Sequence, residues 1–508
     1  MKTHLVFAVM TIALLAFVIS RHHQATLTFE HVIEYARRES LEPYQPPASM
    51  PAALRGLNYD QVRDIRYNEQ DSLWRRLGLP FQVRFFYAAG GNAAPISVFQ
   101  VNSDGSGPVR FSADKFNFGP LVKDLSEADR TKGDFSGFRI YYPLNNPTQL
   151  DEVTAFQGAS YFRPLAKGQI YGLSARGIAI DTLEKEDFPR FTSFWLVEPA
   201  ANASVMTLYA LLDGKDLTGA YEFRIQPGAE TKIHVRAVLF PRHRVKDIGY
   251  APLTSMYWYG ENTSNTFGNW RPEVHDSDGL QILRSNGEWI WHPLAWSKQR
   301  QVNVFTDTDA KGFGLFQRDR DFSHYQDLEA KYHLRPSAWV QPEGSWGAGS
   351  VVLMQNPAGD EFTDNVVAYW RPQDGGYPGR RVEFAYTLVT FTENAGLPPA
   401  GRCLSTRIDY QNEEYYRTVV LDFGGGDLGN QPADQNSQPD DKKVQADVWA
   451  GDTGQISDVH VERIPNTGKW QVAFTVSTKQ TSQPVEMGCR LKVGGKPVTE
   501  TWSYTWVK

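Results

Sequence analysis

Short strand-like segments recur along almost the whole chain, and their spacing limits the fold more than any single motif does. KIHVRAVLF (232–240) sets Ile233, Val235, Ala237 and Leu239 against Lys232, His234 and Arg236. That period of two puts successive side chains on opposite faces of a sheet. QVRFFYA (82–88), RTVVLDF (417–423) and KWQVAFTVS (469–477) are equally short, β-branched or aromatic, and bounded by turn residues. Few stretches hold a helical period. One begins after Thr28, a capping residue type, and places Phe29, Val32, Ile33 and Ala36 on one helix face. The pattern predicts an all-β chain of sandwiches rather than alternating strands and helices. No repeat of solenoid or propeller period is present.

A chain of 508 residues exceeds one ordinary core, so two or more domains are expected. ENAGLPPAGR (393–402) interrupts the strand pattern with two Pro and two Gly and reads as a linker. Residues 25–392 are then expected to form a large β-sandwich domain. Residues 403–508 have the length and strand spacing of a small Ig-like sandwich. Residues 1–24 contain an apolar run from Leu5 to Ile19, broken only by Thr11 and preceded by one Lys. This is the core of a signal peptide, short for a full membrane span. RHHQAT follows with no A-x-A site, so a cleaved leader and an uncleaved anchor both stay open, and export is expected either way. In an oxidising compartment Cys403 and Cys489 are a disulfide candidate, with two separate buried thiols the equal alternative.

Net charge of −6 and a pI near 6.0 give no electrostatic reason to expect nucleic acid. Neither cysteine has Cys or His at ligand spacing, so no metal and no cofactor are expected. GGGDLG (424–429) follows a strand, but the chain then runs into QPADQNSQPDD instead of the helix that a dinucleotide site needs, so it reads as a glycine turn. Asn202 and Asn262 head N-x-S/T triplets. G-x-S-x-G and H-E-x-x-H are both absent. What the chain offers for catalysis is carboxylates set among aromatics, a combination suited to glycosidic bond cleavage. Two places stand out. RPEVHDSDGLQI (271–282) carries His275, Asp276 and Asp278 ahead of GEWIWHPL. NPAGDEFTDNVVAYW (356–370) carries Asp360, Glu361 and Asp364 on a Pro/Gly loop ahead of a strand-like run. Asp residues also cap turns, so each acid has a structural alternative.

ASYFRPL (159–165), YGLSARGIAIDT (171–182), APLTSMYWYG (251–260), HDSDGL (275–280), NGEWIWHPL (286–294), GFGLFQRDRDFSHYQDL (312–328), LRPSAWV (334–340), DNVVAYW (364–370) and TETWSYTW (499–506) follow one another in order. Together they resemble the periplasmic glucan biosynthesis proteins of types G and D. The resemblance implies a large carbohydrate-enzyme-like β-sandwich joined to an Ig-like domain, and a role on glucans with a β-1,2-linked backbone. It implies an inverting endo-glucanase or transglycosylase, with Asp364 matching the general acid, Asp276 the base and Glu361 an orienting or sugar-binding group. Asp364 would then need a raised pKa, expected from burial beside Tyr369 or Trp370, while Asp276 should stay ionised. Arg176, Tyr257, Trp289, Arg318, Asp319, Tyr325, Trp339 and Trp346 lie in or beside the matched segments and are the candidates for binding the sugar chain. The alternative is a non-catalytic glucan-binding protein that assists a membrane glucan synthase. A homodimer is also open. The leader lacks an arginine pair, which leans toward type G, whereas SHYQDL, DSDGL and DFGGGDL look more like type D.

Overall fold

The computed structural model describes residues 27–507, apart from 92–93, 264–266, 395, 410–414, 433–434, 436–437, 440–441 and 480–482. The expected leader lies outside the described residues. No described helix is long and apolar enough to cross a membrane. Strands dominate the chain, as the period-two segments require, and the helices are short or peripheral.

Two large sheets face each other. One has ten strands and includes Gln82–Tyr87, Phe135–Asn146, Ile248–Ser255, Val366–Pro372 and Ala348–Gln355. The other has fifteen and includes Leu217–Gln226, Thr231–Pro241, Val382–Phe391, Ser337–Glu343 and Gly279–Leu283. Their inner faces interlock through aromatic rings. Phe138 and Phe156 on the first sheet meet Phe194 on the second at 4.9 and 5.7 Å, and Tyr250 stacks on Phe384 at 4.2 Å. Such edge-to-face and stacked pairs add to the burial that holds a sandwich closed. Alternation in Thr231–Pro241 sends Ile233, Val235, Ala237 and Leu239 into this core. Val238 and Ala220 lie on the opposite face, where the helix Phe29–Glu39 covers them with Phe29, Val32, Ile33 and Ala36.

A second, smaller sandwich follows. The strands Arg402–Ile408, Tyr416–Gly424, Trp470–Ser477 and Gln455–Arg463 form a separate four-stranded sheet. The strands that face it, Val444–Ala450, Val485–Val493 and Thr501–Trp506, belong to the fifteen-stranded sheet. No regular strand is described between Phe391 and Arg402, yet the sheet itself is continuous across the two sandwiches. Thr501–Trp506 pairs in parallel with Trp289–Pro293, in the register Ile290↔Thr501 and Trp291↔Trp502. Trp291, Phe316, Trp339, Val389 and Phe391 therefore pack in the same core as Cys403, Phe423, Trp470 and Trp502. Gly279 and Gly312 make this possible, because a Cβ at either would fall inside the ring of Trp291 or Trp339. Cys403 and Cys489 are two separate buried thiols. Gly426–Asn430 is a single 3-10 turn after its strand, as expected of a glycine turn.

Candidate active site

The stretch 356–370 is a loop clamped at its neck. Asn356 donates its N–H to the Asn365 carbonyl at 2.8 Å, closing the loop onto the start of Val366–Pro372. The Asn365 amide then binds the backbone of Tyr257 in both directions, accepting at 2.9 Å and donating at 3.0 Å. Asp360 accepts from Phe362 N–H and from the Thr363 hydroxyl, an Asx turn that shapes the tip. The neck fixes the backbone of Asp364 against a strand whose first five residues are buried.

Asp276 arrives by a different route. The two-residue strand Val274–His275 pairs with Tyr257–Tyr259, and Asp276 N–H donates to the Met256 carbonyl at 2.8 Å. His275 beneath it is fully enclosed. Burial disfavours its charge, but the Glu273 carboxylate 2.8 Å away more than restores it, and the ring is pushed up to about 9. Protonated, the ring donates to Glu273 from Nε2 and to Gln317 Oε1 from Nδ1 at 2.9 Å. Asp278 accepts the N–H groups of Arg318 and Asp319, each at 2.8 Å, so it is a turn-forming acid.

Asp276 and Asp364 open into one cleft of about 920 Å³, together with Glu361. The cleft is also lined by Tyr59, Arg163, Arg271, Tyr332, Arg335 and Phe362. A cleft of nearly equal volume, about 930 Å³, opens beside Asp181, Asp307 and Arg371, but none of the acids singled out from sequence lines it. The three carboxylates differ sharply in environment. Asp276 is buried, and loss of solvation pushes its pKa up to about 6 against the pull of Arg335, whose Nη1 lies 2.9 Å from Oδ1. That contact is an ion pair off the hydrogen-bonding line, since Oδ1 accepts no hydrogen bond. The nearby charge of Asp364 adds to the upward push. Glu361 is gripped by Arg271 through two bonds of 2.6 and 3.0 Å, and accepts the Tyr332 hydroxyl as well. Arg271 holds its carboxyl below the usual range, so Glu361 is a fixed anion. Arg271 also pairs with Asp327 at 3.0 Å.

Asp364 departs from expectation. Its side chain is 44% exposed, with Arg163 3.9 Å away, so burial beside Tyr369 or Trp370 does not shield it. Those rings belong to the strand behind: Tyr369 bonds Thr182 and Asp247, and Trp370 lies in the inter-sheet core. Asp364 is the last residue of the exposed loop tip, and burial begins only at Asn365 and continues into Val366–Pro372.

A family model described as "Periplasmic glucan biosynthesis protein, MdoG" matches residues 27–506. The chain belongs to this family. Within it, the glucans biosynthesis protein G of Ralstonia nicotianae (strain ATCC BAA-1114 / GMI1000) is 42% identical over 496 residues, covering 95% of this chain and 96% of that protein. Among solved structures, the Slr1438 protein from Synechocystis sp. PCC 6803 aligns at 9% identity and a TM-score of 0.26, over 51% of this chain and 93% of that one. So low a score supports no argument about the site.

In this member of the periplasmic glucan biosynthesis family, none of the eight residues expected to bind the sugar chain lines the cleft. Arg176 is buried and ion-paired with Glu186 at 2.5 Å. Tyr257 donates to Asn262 at 2.5 Å and stacks on His275. Trp289 and Trp339 stack on each other at 5.6 Å beside the second core. Trp346 fills the inter-sheet core against Tyr250, Trp370 and Phe384. Tyr325 is enclosed and bonded to Gln317. Arg318 grips Glu500 through two bonds of 2.6 and 2.9 Å and lies 3.6 Å over the Trp291 ring, clamping the two sandwiches together. Asp319, His324 and Glu273 bring three possible metal-ligand atoms within 4.8 Å of one another. These groups are already committed, Asp319 to His324 and Glu273 to His275. Asn262 of the second N-x-S/T triplet is buried and donates to the Leu294 carbonyl, so it offers no surface amide for a glycan. Arg271, Tyr332 and Arg335 do line the cleft: Arg271 opens RPEVHDSDGLQI, Arg335 lies in LRPSAWV and Tyr332 precedes it by two residues. Nothing in their local pattern distinguishes them from scaffold residues.

Proposed function

We propose that this protein acts on the β-1,2-linked backbone of periplasmic glucan as an inverting endo-glucanase or transglycosylase. The observation that carries the proposal is two carboxylates, Asp276 and Asp364, lining one cleft from unlike surroundings. Glycoside cleavage with inversion needs one carboxyl to protonate the leaving oxygen and another to activate water. Asp364 takes the acid role. Its carboxyl is open to the cleft, where the leaving oxygen of a seated sugar chain can reach it. Asp276 takes the base role, since Arg335 beside it favours the anion at neutral pH. Glu361, locked by Arg271 and Tyr332, is a positioning group that fixes the loop and with it Asp364. Membership of the family and the name of the Ralstonia relative support glucan as the material and the periplasm as the place.

The test is incubation of the protein with linear β-1,2-glucan, followed by product sizing and a reducing-end assay. Shorter chains with new reducing ends, lost in Asp364→Asn while glucan binding persists, identify a hydrolase. Redistributed chain lengths without new reducing ends identify a transglycosylase. Full cleavage by Asp364→Asn overturns the acid assignment. Glucan that is bound but unchanged by the native protein establishes a binding protein serving a membrane synthase instead.

A further inference from the structure

Next to the cleft lies a pocket of about 590 Å³ whose lining includes Arg63, Arg66, Arg84 and Arg139 and no Asp or Glu. Four guanidinium groups around one cavity with no carboxylate in its lining form a local positive patch in a chain of net charge −6. Two of them are held by stacking. Arg84 lies 4.0 Å over the Tyr141 ring and Arg139 lies 4.5 Å over Phe86. A guanidinium stacked on a ring can turn its edge toward a planar or tetrahedral oxyanion, and Arg84, whose Nε donates to Ser72 Oγ at 3.2 Å, has Nη1 left for that purpose.

The counter-charges around the pocket are weak. Glu69, 3.3 Å from Arg84, is 57% exposed and shared with Arg75 at 3.4 Å. Glu152 lies 3.3 Å from Arg139, but burial pushes its pKa upward and it already accepts the Tyr171 hydroxyl. Arg63 and Arg66 have no ion-pair partner among the described residues. The pocket also adjoins the cleft directly, since Tyr59 and Arg63, on the short helix Tyr59–Arg63, line both. Tyr171 lines the cleft and donates to Glu152, which pairs with Arg139 of the pocket.

The geometry points to this arginine pocket as a binding site for a phosphate- or carboxylate-type oxyanion, placed so that the anion is reached from the cleft. Its source is either a charged substituent on a sugar chain that occupies the cleft or a free anion. Only the first source rests on the glucan reading above.

Titration calorimetry at low salt with glucose, glucose 6-phosphate and inorganic phosphate separates these. Glucose 6-phosphate is expected to bind at least about tenfold more tightly than glucose, the value of one charge-assisted contact. Arg66→Gln and Arg139→Gln are each expected to weaken it about three- to tenfold. Sugar phosphate tighter than inorganic phosphate assigns the site to a sugar-borne anion, and equal affinity assigns it to the free anion. Equal binding of glucose and glucose 6-phosphate, or native affinity in the Arg66→Gln/Arg139→Gln double variant, overturns the site. Arg66 is exposed and unpaired, so its variant keeps the test meaningful if replacing Arg139 disturbs the fold. Shifts of the arginine Nε–H resonances in the native protein give an independent readout. None of these measurements involves glucan cleavage, so a protein that turns over no glucan still answers the question.

Discussion

Asp276 and Asp364 face one cleft under opposite solvent regimes, and the difference is measurable. An Asp whose folded pKa is raised, here to about 6, contributes stability that is complete below its unfolded value and lost as pH rises through about 6. Replacing it by Asn removes the charge that burial disfavours. Asp276→Asn is therefore expected to match the native protein in stability near pH 4 and exceed it by about 1–3 kcal/mol near pH 8. Denaturant unfolding at both pH values checks this. A variant less stable than the native protein near pH 8 sinks the argument. The same residue fixes the acid limb of activity, since a base works only when ionised. kcat/KM on linear β-1,2-glucan is expected to rise with pH through about 6. A profile flat from pH 5 to 7 would take the base role away from Asp276.

At the scale of elements, period-two alternation told strands apart from helices because it reflects the pleat itself. KIHVRAVLF, QVRFFYA, RTVVLDF and KWQVAFTVS all lie in strands, and the helix after Thr28 buries the four residues its spacing named. Asp276, Glu361 and Asp364 drew notice because each sits at a turn beside a recognisable segment, and they share one cleft, whereas Asp327 and Glu329, which also line it, carried no such signal. The aromatic binding candidates were not. Composition and adjacency cannot tell a Trp facing a cleft from one facing the opposite sheet, and that choice is set by strand register and sheet pairing. Trp346 shows the consequence. It is 8% exposed and packed on Tyr250, Trp370 and Phe384. Trp346→Ala is expected to cost about 3–5 kcal/mol of stability, as large core truncations do. The folded fraction should bind glucan with unchanged affinity. Weakened binding with unchanged stability would place Trp346 at the substrate after all.

At the scale of the molecule, the sequence suggested a linker at 393–402, and strand pairing adds what no linker pattern reveals. The fifteen-stranded sheet passes through both sandwiches, sealed by the pairing of Trp289–Pro293 with Thr501–Trp506 and by the Arg318–Glu500 clamp. Long-range pairing of this kind leaves no local signature, because its partners are over two hundred positions apart. The two sandwiches are thus expected to unfold together. Scanning calorimetry should give one cooperative transition. Glu500→Ala, which strands a guanidinium in the interface, should lower stability by about 3–5 kcal/mol without splitting that transition. Two well-separated transitions in the native protein would show that the shared sheet does not couple its halves.

The shared sheet also dictates an order of assembly. While a chain is being made, Trp289–Pro293 has no neighbour on one side until Thr501–Trp506 arrives. Until then Trp291, Phe316 and Trp339 lack the apolar surface that covers them in the finished molecule. Every nascent chain passes through a stage with an unpaired edge and bare tryptophans, the combination that invites sticking between neighbours. That exposed stage ends only when Thr501–Trp506 closes the seam against Trp289–Pro293.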